Sequence, residues 1–125
     1  MTVVPAVIVK VDPDGGPVTV HVRIAGTQIN TSTSVVFKPQ AGAPQILLST
    51  DPRSDIDAPL PGAAATLPGS QALCDVAITA MAANQHWSVT FTAMQNLAAI
   101  GGSDDSGDLA AQADHADSVL TLVFA

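Results

Sequence analysis

Three histidines, one cysteine and eleven carboxylates are the side chains with which this 125-residue chain could move protons, attack carbon or hold a metal. All the carboxylates are Asp; Glu is absent. A metal or acid–base site would want two histidines at strand or helix spacing, H-x-H or H-x-x-x-H, beside a carboxylate. His21, His86 and His115 instead lie far apart, in three separate segments. His21 falls on the polar parity of a regular alternation, where an exposed imidazole needs no further role. A hydrolase would need an activated nucleophile, and no G-x-S-x-G elbow is present. Cys74 shares its parity with Val76 and Ile78, which reads as a buried, inert thiol. No catalytic motif emerges, so the chain is read as non-enzymatic, with no catalytic and no cofactor-binding residues assigned. An enzyme assembled from the scattered His and Asp residues is the third reading.

The acidic loops carry the best remaining signal. "DPDGG" (Asp12, Asp14), "DPRSDID" (Asp51, Asp55, Asp57) and "GGSDDSGD" (Asp104, Asp105, Asp108) set hard oxygen ligands among turn residues, which is what Ca²⁺ prefers. None completes an EF-hand loop, and Asp, Gly and Pro form turns without any metal. Asp12, Asp14, Asp104, Asp105 and Asp108 are therefore weak candidate ligands, and no metal site is assigned. A Ca²⁺-stabilised ligand-binding domain using these loops is the alternative to a non-enzymatic module.

Composition narrows the partners. Net charge is −7, and the four cations, Lys10, Arg23, Lys38 and Arg53, are scattered, so the electrostatic footprint of nucleic-acid binding is missing. No polybasic cluster favours an anionic membrane surface. No apolar run approaches the roughly 20 residues of a membrane-spanning helix. Only 12% of residues are charged, so Ser, Thr, Asn, Gln and Ala must build the surface. Copies then repel weakly, and a protein partner or self-association through strand edges or flat faces is expected. "MTVVPAVIVKVD" lacks a basic n-region and a cleavage site, and reads as a first strand rather than a leader. The chain is read as soluble, cytoplasmic or exported with its leader removed. One Trp, three Phe and no Tyr offer little for stacking on sugars. "NTS" at 30 to 32 matches a glycosylation sequon that matters only in a glycosylating pathway. Alanine-rich, lysine-poor usage fits a GC-rich bacterial genome.

Short alternating segments between turn signals must position these residues. Val18, Val20, Val22 and Ile24 form one face of a strand, with Thr19, His21 and Arg23 on the other. Residues 7 to 11 precede it across "DPDGG", which predicts a hairpin. "TSVVFK" (33 to 38) and "QILLST" (45 to 50) form a second pair. Residues 51 to 70, with four prolines, predict a long irregular connection that crosses between sheets. "ALCDVAITAM" (72 to 81) fits strand parity and also a helical face; the clean alternation of Trp87, Val89 and Phe91 after "AANQ" favours a strand and a hairpin. Residues 96 to 118 look least strand-like, with a mobile acidic loop and one short helix near 108 to 116. "SVLTLVFA" is apolar on both parities, the mark of a central strand buried on both faces. The expected architecture is one all-β domain over residues 1 to 125. It is an antiparallel sandwich of about seven strands, loosely Ig-like but without the Cys…Trp…Cys framework. The function expected of it is that of a bacterial structural, surface or interaction subunit.

Overall fold

A computed structural model describes residues 2–125. Val18, Val20 and Val22 are buried and Thr19, His21 and Arg23 half exposed, as the alternation requires; Ile24 is half buried. That strand is β3 (Val18–Ala25). It follows β1 (Thr2–Val3) and β2 (Val7–Val9), and precedes β4 (Ile29–Lys38), β5 (Gln45–Asp51) and β6 (Asp55–Pro59). One turn of 3-10 helix (Ala64–Thr66) leads to β7 (Gln71–Ala80), β8 (Gln85–Gln95), β9 (Ala98–Leu109) and β10 (His115–Phe124). The described residues thus hold ten strands rather than about seven. Two sheets form a sandwich: β1-β10-β7-β4-β5, with β2 also on β10, faces β6-β3-β8-β9. Among the described residues no helix is long and apolar enough to cross a membrane.

The core lies between the sheets. Alternate residues of nearly every strand meet there, including Val20, Val35, Cys74, Trp87, Phe91, Leu120 and Phe124. Residues 72 to 81 are strand, buried at every second position from Ala72 to Ala80. β10 sits between β7 and the short strands β1 and β2, as a central strand should. Its pairing with β1 and β2 is parallel, although the other pairs are antiparallel. Only one of its faces is covered: Ser118, Leu120, Leu122 and Phe124 are buried, whereas Val119, Thr121 and Val123 stay half exposed on the outer side.

Three local expectations need correction. The segments flanking "DPDGG" do not pair with each other. β2 joins β10 in the six-stranded sheet and β3 belongs to the four-stranded one, so residues 10 to 17 cross between layers. The buried Gln95 side chain secures that crossing: its Oε1 accepts from Asp12 N–H at 3.0 Å, and its Nε2 donates to Asp12 and Gly16 carbonyls at 2.8 and 3.0 Å. β7 and β8 likewise lie in opposite sheets, and "AANQ" is an inter-sheet link. The four-proline connection does cross between sheets, but it contains a strand, β6, on the edge beside β3.

The largest correction concerns residues 96 to 118. They hold no helix and no acidic loop: β9 pairs with β8 from Ala98 to Leu109, a turn follows, and β10 begins at His115. Glycines there serve close approach rather than flexibility. A Cβ on Gly107 would stand 2.8 Å from the Trp87 ring, and one on Gly101 would stand 2.9 Å from Val9 Cγ2. The β8–β9 turn is Asn96–Leu97, both at positive φ (53° and 63°), as a two-residue type I′ hairpin demands.

Candidate functional site

Alternation leaves each sheet one outer face, and the two differ in chemistry. The four-stranded sheet turns out Thr19, His21 and Arg23 from β3, Asp55 and Asp57 from β6, Ser88, Thr90 and Thr92 from β8, and Asp104, Ser106 and Asp108 from β9. On this polar face Arg23 donates to Asp55 at 2.7 Å and to Asp57 at 3.1 Å. It also reaches His21 Nδ1 at 3.0 Å. A guanidinium only donates, so Nδ1 accepts and the ring proton sits on Nε2, 3.5 Å from Asp57. His21 is thus a fixed part of an ion-pair network. Asp51, from the same acidic stretch, is gripped by Arg53 through two oxygens at 3.0 and 2.7 Å, which holds its carboxyl below the usual range.

His86 Nδ1 meets Asp108 Oδ1 at 2.8 Å in an exposed pair. A shallow hollow of about 550 Å³ beside it is lined by His86, Ser88, Thr90, Asp104, Asp105 and Ser106. This hollow can offer hydrogen bonds to a polar ligand. His21 opposes Thr92, six residues along β8 from His86, so the two rings lie about 20 Å apart. His115 lies on the outer face of the other sheet, opposite Thr79. The three histidines therefore do not meet.

The acidic residues are also separated. Asp12 Oδ1 accepts the Asp14 N–H at 3.0 Å, a local turn bond. Asp104 and Asp105 point to opposite sides of β9; Asp105 accepts from the buried Ser118 hydroxyl at 2.6 Å and ties the two sheets together. Among the described residues, no three His, Cys or Asp side chains gather as metal ligands would. Cys74 is buried, and burial pushes its thiol up to about 12.

The outer face of the six-stranded sheet is where sequence reasoning fell short. Ile46, Val36, Leu73 and Thr121 stand in register across β5, β4, β7 and β10, with Val119 and Val3 paired beside them. Ile46, Val3 and Ile8 are 73%, 66% and 74% exposed. Set into this face are Asp75 and Asp117. Hydrogen bonding to Asp117, partial burial and like charge push the Asp75 carboxyl up to about 6. Asp117 Oδ1 is buried and, among the described residues, has no hydrogen-bond partner. The residues belong to different strands, so no local signal joins them; an Asp inside the apolar run "ALCDVAI" is the only hint.

This two-sheet fold occurs in other proteins. Two solved structures share it. A domain of unknown function, DUF4425, from Bacteroides vulgatus ATCC 8482 matches with a TM-score of 0.50 and 8% identity, over 90% of this chain and 98% of that one. A DUF4425 family protein from Bacteroides ovatus ATCC 8483 matches with a TM-score of 0.54 and 10% identity, over 86% of this chain and 95% of that one. At such identity the likeness concerns the fold alone. No family model and no curated protein matches the sequence.

Proposed function

We propose that the chain is a non-enzymatic β-sandwich module, an interaction subunit of a bacterial structural or surface assembly. One observation carries this reading: the outer face of the six-stranded sheet carries an apolar band of Val3, Ile8, Ile46, Val36, Leu73, Val119 and Val123, on a molecule whose other face is polar. Strands apolar on both parities are those covered on both sides, and an exposed patch of this kind marks a contact surface. The bacterial assignment rests on composition.

The test is site-specific photo-crosslinking in the producing cell, with the reactive group at position 36 or, as control, at position 90. An identified protein adduct, including one to the chain's own copy, is expected from position 36 and not from position 90. Absence of adducts from both positions, or adducts from position 90 alone, counts against the module.

A further inference from the structure

The apolar band is flanked by charge on both sides, and the charges are arranged self-complementarily. At one edge stand Lys38, in register with Gln71, and Lys10, exposed between buried Val9 and Val11. The backbones of Val9 and Val11 both bond to Ala125, so Lys10 stands level with Ala125. At the other edge of the apolar band stand Asp75 on β7 and Asp117 on β10, beyond which the face continues with Ala77, Thr79 and His115. Leu73 lies midway between Gln71 and Asp75. Thr121 lies midway between Ala125 and Asp117. Leu73 and Thr121 are themselves register partners. Both lysine–aspartate relations therefore share one midpoint, in the apolar row Ile46–Val36–Leu73–Thr121.

We propose that this face pairs with the same face of a second copy, about a two-fold axis running along that row. Lys38 and Lys10 of each copy then stand level with Asp75 and Asp117 of the other, one strand to the side. The inference rests on the module reading above and names its partner. Such a two-fold keeps β4 over β4 and β10 over β10. Lys38 is thus displaced from Asp75 by one strand, and Lys10 from Asp117 by one strand, about 4.8 Å each, within reach of a lysine stem. Aligned sheets pack about 10 Å apart. The axis lies two residues from the Gln71 end of β7, so about five residues of that strand overlap their mates; five strands across then give a footprint of about 24 by 17 Å, about 400 Å² per partner, the size of a small, weakly held interface. An isologous contact demands a patch complementary to itself, and the shared midpoint provides one.

Sedimentation equilibrium on the full chain, from micromolar to sub-millimolar concentration, tests this. A dimer is expected. Lys38→Asp alone and Asp75→Lys alone should each raise its dissociation constant about ten-fold or more, and the double variant should restore it. Leu73→Arg, which places like charges together near the axis, should give a monomer with an unchanged circular dichroism spectrum. The charge swap changes only exposed positions, so it reports on pairing even if Leu73→Arg misfolds. A wild-type monomer throughout overturns the pairing. A dimer indifferent to the charge swap and to Leu73→Arg also overturns it, while leaving the module reading to the crosslinking result. Loss of the dimer in both single variants without restoration in the double variant rejects the proposed register.

Discussion

Asp75 and Asp117 show how much a single pair can cost. The folded-state value of Asp75, about 6, lies above its ordinary 3.8, so the folded chain holds that proton more firmly than the unfolded one. The favourable contribution is complete below about pH 4 and is lost as pH rises through about 6. Above that, the pair destabilises the dilute chain by about 1 kcal/mol once solvent screening is allowed for. Asp117→Asn, whose amide can donate to the Asp75 carboxylate, should raise stability by about that amount at pH 7.5 and flatten the pH dependence between 4 and 6. Urea melts of dilute protein across that range read the effect. Equal stability of the two proteins at pH 7.5 would show that the carboxyls do not share a proton. Deep burial, by contrast, leaves Cys74 nothing to react with, as its position in "LCDV" suggested.

At the level of elements, parity was the reliable signal and pairing was not. β3 buries the residues its alternation named, and Val20 is fully buried. Val20→Asp should therefore cost at least about 4 kcal/mol and leave the chain unfolded or nearly so; an unchanged melting temperature would refute that face assignment. The β8–β9 hairpin was illegible because its turn is Asn–Leu, not Asn–Gly. Leu97 is wholly exposed at φ 63°, a conformation that costs a non-glycine residue about 1 kcal/mol. Leu97→Gly should raise the melting temperature by a few degrees, and a fall would show that the turn is not of the type described. The strand that follows, β9, was hidden by its glycines. Gly101 and Gly107 break local propensity because Val9 and Trp87 occupy the space a side chain would need.

For the whole molecule, the acidic residues no longer point to one ligand site. Asp51, Asp55 and Asp57 face Arg53 and Arg23, Asp108 faces His86, and Asp105 bonds across the sandwich to Ser118. Adding millimolar Ca²⁺ or EDTA should leave the melting temperature within a degree, since a ligand bound only to the native state raises stability by mass action. A rise of several degrees with Ca²⁺ would restore the calcium-dependent reading in place of the module. What distinguishes the molecule is its two unlike faces, one polar and internally ion-paired, the other crossed by an apolar band between lysines and aspartates.

The sequence by itself determined the all-β class, the inward set of most strands, the buried Cys74 and Trp87, and the central place of the last strand. All of these follow from period-two alternation, which is local. Only the tertiary structure decided which strands are neighbours, because a turn such as "DPDGG" or "AANQ" can close a hairpin or carry the chain to the opposite sheet, and that choice depends on distant partners such as Gln95. The apolar character of "VLTLVFA" on both parities was legible from the start. That its outer side remains uncovered, with lysines on one side of an apolar band and aspartates on the other, could not be read from one dimension. It arises from register among β2, β4, β7 and β10, strands separated along the chain by as much as its whole length.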